Sequence, residues 1–175
     1  MERLALNKLL EWKNSSYRKP LILKGVRQVG KTWILKEFGK RYYENTAYFN
    51  FDENEEYKQF FETSKDVDRI LQNLMLASGQ KIEPEKTLII FDEVQKCPMA
   101  RQGIKYLVDD GRYDYIETGS LISIKKNTEN ITIPSEEDRI QMYPMDFEEF
   151  LWAMDDNSTF PLLKQFFEKR HPLGP

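Results

Sequence analysis

Pro20-Leu21-Ile22-Leu23-Lys24-Gly25-Val26-Arg27-Gln28-Val29-Gly30-Lys31-Thr32-Trp33 is the stretch on which the reading of this chain turns. Pro20 opens a short apolar run that stops at Gly25, as a strand buried in a parallel sheet does. From Gly25 to Thr32 the chain matches G-x-x-x-x-G-K-[ST] at every fixed position, the Walker A pattern. Gly25 and Gly30 are expected to let the backbone turn tightly, so that its N–H groups face inward and form a nest for phosphate oxygens. Lys31 is a flexible point charge that reaches the β- and γ-phosphates. Thr32 offers a hydroxyl to Mg²⁺. A helix beginning there adds its positive end to the same anion site. The candidate nucleotide-binding set is therefore Gly25, Val26, Arg27, Gln28, Val29, Gly30, Lys31, Thr32 and Trp33.

A strand–loop–helix of this kind needs a partner strand that delivers a carboxylate. Leu88-Ile89-Ile90-Phe91 runs straight into Asp92-Glu93, the Walker B pattern. Ligands of open α/β sheets lie at the C-terminal edge of the strands. Asp92 there completes a magnesium shell begun by Thr32, and Glu93 is placed to polarise a water for in-line attack on a γ-phosphate. Small-molecule kinases need no such base beside the metal ligand, because their acceptor is a substrate hydroxyl. No N-K-x-D signal for guanine is found, which points to ATP. Residues 113–117 read as a fourth strand running into Thr118-Gly119-Ser120. Ser120, with Thr118 second, is the candidate polar sensor of the γ-phosphate; the competing reading is a strand-to-loop turn that needs Gly119 for its geometry.

Outward from these motifs, helix and strand alternate. Leu6, Leu9, Leu10 and Lys13 fall at helical spacing, residues 31–43 read as a helix, and residues 47–51 as an aromatic strand. Helices are predicted over 55–61 and along Val67, Ile70, Leu71, Leu74 and Met75, ending at Gly79. Another starts at Pro98 and stops at Gly111. Residues 125–138 read as a polar loop, 140–143 as a fifth strand, and Phe147, Phe150, Leu151 and Met154 as a helical stripe of the kind usually found in a core. A further helix covers 160–167. This alternation implies an α/β fold with a mainly parallel sheet and helices on both faces.

Composition narrows the chemistry. Hydrophobic residues make up 40% of the 175, enough for a globular core, and 26 Lys+Arg against 29 Asp+Glu leave a net charge of −3. That balance gives no general basic footprint for nucleic acid. Cys97 is the only cysteine and His171 the only histidine, which excludes disulfide frameworks and multi-histidine metal sites. No segment reaches the length of a membrane span and no signal peptide is evident, so a cytoplasmic protein is expected. Arg27, Arg101, Arg112 and Arg139 are candidates for neutralising transition-state charge, each more simply a surface or ion-pair residue. Trp12 or Tyr17 could stack on a base.

GVRQVGKT, LIIFDEVQ, YIETGS and YPMDFEEFL, in this order, resemble a bacterial and archaeal family of AAA-type P-loop ATPases that carry a DUF4143 domain after the ATPase. The resemblance implies an additional-strand P-loop NTPase of three α/β/α layers, with five strands in the order 5-1-4-3-2. It implies Lys31 and Thr32 as phosphate and magnesium residues, Asp92 as metal-binding acid, Glu93 as catalytic base and Ser120 as sensor. It further implies an ATPase core over 1–145, with 146–175 a helical segment leading into a further C-terminal domain. Asp138 stands before Arg139 where the family has glycine, which leaves Arg139 without an assigned role. The expectation is a Mg²⁺-dependent ATPase acting as a conformational switch, with a homo-oligomer as one source of a catalytic arginine. A phosphotransferase and a non-hydrolysing nucleotide-binding module are the alternatives.

Overall fold

A computed structural model describes residues 2–120 and 137–170. The polar loop expected at 125–138 falls, up to residue 136, outside the described residues, as do 171–175. The elements follow the expected alternation: α1 (Leu4–Asn14), β1 (Leu21–Gly25), α2 (Lys31–Tyr42), β2 (Asn45–Asn50), α3 (Glu56–Thr63), α4 (Val67–Ser78), β3 (Thr87–Asp92), a 3₁₀ turn (Val94–Lys96), α5 (Pro98–Asp109), β4 (Asp114–Ser120), β5 (Asp138–Met142), α6 (Phe147–Ala153) and α7 (Thr159–Lys169). All strand pairs are parallel, in the order β2-β3-β4-β1-β5. Read from the other edge, this is the 5-1-4-3-2 order of the additional-strand P-loop fold.

The two faces of the sheet carry separate cores. Leu21, Leu23, Leu88, Ile90, Ile116 and Ile140 meet Leu6 and Leu9 of α1 and Ile34, Leu35 and Phe38 of α2. Ile22, Ala47, Phe49, Ile89, Phe91 and Tyr115 meet α3, α4 and α5. Successive side chains along a strand point to opposite faces, so a strand covered on both sides must be apolar throughout. β3 is buried at all six of its positions, which explains its unbroken Leu-Ile-Ile-Phe run. Local signals fix several ends: Asp66 accepts from the Arg69 N–H at 2.9 Å to cap α4, Gly79 closes it at φ 68°, and Pro98 occupies the first turn of α5.

One competing reading is set aside and one expectation is corrected. Thr118-Gly119-Ser120 is strand, not turn: β4 continues through it, pairing Leu23 with Thr118, Lys24 with Gly119 and Gly25 with Ser120. Nor is the 147–154 stripe core, since Phe147, Phe150 and Met154 are 54%, 50% and 68% exposed. The side chain α6 turns inward is Glu149, which with Asp146 forms a reciprocal cap; that inward residue leaves the aromatic stripe outside.

Candidate nucleotide site

At the C-terminal edge of the sheet the β1–α2 loop, Asp52 after β2 and Glu93 after β3 border one cleft of about 540 Å³. Arg27, Gln28, Gly30, Lys31, Thr32 and Trp33 line its loop side. Gly30 stands at φ 91° and Gln28 at φ 63°, so the loop contains two left-handed positions, of which only one has the glycine that makes this inexpensive. Gly25 meets a different requirement from the tight turn expected of it. A Cβ there would lie 2.7 Å from the Met142 carbonyl and 3.1 Å from Val29 Cγ2; close passage of β5 excludes a side chain. Val29 is buried in the α1/α2 core, so it can meet a ligand only through the backbone, whereas Val26 is exposed.

Lys31 is buried, and its Nζ donates to the carbonyls of Gly25 at 3.2 Å and Val26 at 2.9 Å. Burial pulls its pKa below the ordinary lysine value, against the opposing pull of the Glu93 and Asp92 carboxylates. Asp92, also buried, is held from α2, from β2 and by the backbone of its own neighbour. Its Oδ2 accepts from Thr32 Oγ1 and from the Tyr48 hydroxyl, both at 2.7 Å, and its Oδ1 accepts from the Glu93 N–H at 2.9 Å. Burial and then the bond to Asp92 push the Tyr48 phenol up, so it stays a donor. Glu93 sits at φ 54°, strained for a non-glycine residue, and its Oε2 accepts from Gln95 Nε2.

Ser120 is buried and pairs in register with Gly25, the first loop residue. Thr118 lies deeper, its hydroxyl buried without a hydrogen-bond partner. Both share the face of Ile116, the α2 side of the sheet. Among the arginines, Arg27 lines the cleft. Arg101 is buried against Glu117 and Glu137, while Arg112 pairs with Asp110 and Asp68, and Arg139 with Glu137. Trp12 and Tyr17 stand at the opposite edge of the sheet, where the Trp12 indole donates to the Lys19 carbonyl at 3.1 Å ahead of β1; the reading of either as a base-stacking residue is corrected.

The residues fit magnesium and a triphosphate. The Thr32 hydroxyl and the Asp92 carboxylate are hard oxygen donors side by side, with Lys31 lining the same cleft. Among the described residues no group of three or more His, Cys, Asp or Glu side chains could cage a metal. A divalent ion here would draw most of its ligands from phosphate and water, as Mg²⁺ commonly does. The cleft volume lies within the range of roughly 300–1,000 Å³ typical of small-molecule sites.

The parallel sheet order, the loop between β1 and α2 and the carboxylate ending β3 define a P-loop nucleotide-binding domain. Within that class, the chain belongs to the AAA domain family, whose model matches residues 17–151. An uncharacterized protein of Haemophilus influenzae is 26% identical over 177 residues, covering 97% of this chain and 42% of that protein; the chain thus spans less than half of its relative. Among solved structures, Drosophila ORC bound to DNA matches with a TM-score of 0.58 at 16% identity, over 95% of this chain and 48% of that one. The Aeropyrum pernix ORC1 protein in complex with DNA matches with a TM-score of 0.49 at 15% identity, over 95% of this chain and 54% of that one. The Drosophila likeness shows the fold alone.

Sequence reasoning missed Tyr48 and Gln95, which hold the two carboxylates. Tyr48 looked like one more aromatic of an aromatic strand. Its even position relative to Ala47 and Phe49 marked it for the α2 face, a weak signal in a partly exposed strand. Gln95, two residues after Glu93, was legible only as part of DEVQ.

Proposed function

We propose that this domain binds ATP with Mg²⁺ and hydrolyses it, using the change to switch a further C-terminal domain or a partner. The observation that carries the reading is the Thr32–Asp92 hydrogen bond, which joins the start of α2 to the end of β3 with Glu93 opening on the same cleft. The loop N–H groups and Lys31 would bind the β- and γ-phosphates. Thr32 and Asp92 would hold magnesium, which when bound neutralises charge developing on the phosphates. Glu93 would accept the proton of the attacking water, with Gln95 holding one carboxylate oxygen. Ser120, across from the first loop residue, would hydrogen-bond the γ-phosphate. The cleft's own Arg27, or an arginine from a second copy in a homo-oligomer, would supply positive charge to the transition state. The division into a core over 1–145 and a helical segment over 146–175 leading to a domain of the DUF4143 kind agrees with a relative more than twice as long. We place this activity in the cytoplasm.

Single-turnover hydrolysis of Mg²⁺-ATP, compared between wild type and Glu93→Gln, tests the reading. Loss of the catalytic base is expected to slow turnover by about 10²–10⁴-fold while leaving ATP affinity near that of wild type. Binding without turnover in both proteins would leave a nucleotide-binding module. Transfer to an acceptor that is insensitive to Glu93→Gln would make the domain a phosphotransferase, and absence of ATP binding would remove the proposal altogether.

A further inference from the structure

Against the phosphate loop, outside the lining of the cleft, one buried side chain joins three segments. Arg3 precedes α1 and is 5% exposed. Its Nη1 donates to the Val29 carbonyl at 3.3 Å, its Nη2 to the Tyr143 carbonyl at 2.9 Å and its Nε to Glu149 Oε1 at 3.0 Å. The same Oε1 accepts from the Leu4 N–H at 2.7 Å. Glu149 is also half of the reciprocal cap of α6: its N–H donates to Asp146 Oδ1 at 2.8 Å, and its Oε2 accepts from the Asp146 N–H at 3.3 Å. A Cβ placed on Gly30 would come within 3.8 Å of Arg3 Nη1, so the guanidinium lies against the back of the loop's last glycine. The chain from Tyr143 to Leu151, a motif the nucleotide site leaves unused, thereby acquires a physical task.

A loop that turns its N–H groups toward a phosphate must turn carbonyls outward, and a buried carbonyl needs a donor. Arg3 supplies that donor to Val29. A planar guanidinium serves several acceptors in fixed directions at once, which an ammonium cannot do. The contacts are unequal. The three that fasten Arg3 and α1 to Tyr143 and Glu149 measure 2.7–3.0 Å, and the one to the loop, at 3.3 Å, is the longest of the four.

The geometry points to Arg3 as a positioning residue of the phosphate loop, and to the buried Arg3–Glu149 pair as the link that carries a change of loop shape into α6 and the chain beyond it. The positioning role stands on the hydrogen bonds alone; the link rests on the nucleotide switch proposed above.

Hydrogen exchange on the whole chain separates the two. Glu149→Gln keeps a residue that can close the cap of α6 but removes the charge facing Arg3; Arg3→Lys keeps the charge and removes the fork. In the nucleotide-free protein, both substitutions are expected to speed exchange of the amides in residues 26–32 by about tenfold, the scale of a lost charge-assisted hydrogen bond. Faster exchange confined to α1 and α6 would overturn the positioning role. Should Arg3→Lys fail to fold, Glu149→Gln decides, because its effect is read at a loop that it does not touch. With Mg²⁺-ATP added, wild type should protect α6 as well as residues 26–32, and the variants residues 26–32 only. Protection of the loop alone in wild type would overturn the link. Protection nowhere would remove the nucleotide site and the link with it, while the nucleotide-free comparison still decides the positioning role.

Discussion

Asp92 illustrates how one side chain is fixed by residues distant in sequence: Thr32 from α2, Tyr48 from β2 and the backbone of its own neighbour Glu93 together occupy both carboxylate oxygens. A carboxylate so held presents its remaining lone pairs in a set direction, which a hard cation requires. Cys97 shows the opposite case, a reactive group type made inert. Burial in the α3/α4/α5 core pushes its thiol up to about 11, whereas an unfolded thiol ionises near ~8.5. Because the folded value is the higher one, the associated stability is intact below about pH 8.5 and is lost as pH rises from there toward 11. Urea unfolding of wild type and Cys97→Ala checks this. The stability deficit of the variant at pH 7.5 should shrink at pH 10, by on the order of 2 kcal/mol.

Among elements, α2 approaches β2 closely at one glycine. Gly39 faces Thr46, and a Cβ at Gly39 would come within 2.2 Å of Thr46 Oγ1 and 3.1 Å of its Cβ. Rotating the hydroxyl relieves the first contact but not the second. Gly39→Ala gains intrinsic helix propensity and still forces α2 away from the sheet, carrying with it Lys31 and Thr32 at its N-terminus. A destabilisation of about 1–3 kcal/mol is expected, measured as a lower urea midpoint with an unchanged m-value. A gain in stability would show that the strand yields instead. The same element logic accounts for α6: its cap and its tie to Arg3 orient the helix, and its aromatic stripe stays in solvent.

At the scale of the whole molecule, the sheet face that carries α5 holds a buried ionic cluster alongside its apolar core. Arg101 of α5, 2% exposed, reaches Glu117 of β4 and Glu137, the residue ahead of β5, and Lys24 of β1 stands 3.6 Å from Glu137. Burial pushes the Glu117 carboxyl up and Arg101 opposes it. Arg101→Met would leave the buried Glu117 carboxylate without its arginine, while Glu137 keeps Arg139 and Lys24, and is expected to destabilise the chain by about 3–5 kcal/mol near neutral pH. Without the guanidinium the folded pKa of Glu117 rises further, so stability lost at pH 8 should return in part as pH falls toward 5 and the carboxyl protonates. Urea unfolding at the two pH values measures this; an equal deficit at both would show that Arg101 acts by packing alone.

The order of elements and the phosphate loop were legible in the amino-acid sequence because they rest on local rules. Pro20 and Gly25 bound a buried strand, Gly30 stands where φ is positive, Lys31-Thr32 opens a helix, and the apolar run 88–91 delivers two carboxylates at its end. Strand bounds shifted by one to three residues for the same reason, since the start of pairing depends on the neighbouring strand. Strand order was not local and came from the family resemblance, since pairing between segments remote in sequence leaves no periodic trace. What only the tertiary structure decided is which side chains serve others. Tyr48 and Gln95 hold the carboxylates, Met142 imposes glycine at 25, Thr118-Gly119-Ser120 remains strand because β1 pairs with it, and Arg3 meets Glu149 across 146 positions. Such contacts follow from where separate elements come to rest against one another, and a residue's own neighbours in sequence carry little record of that.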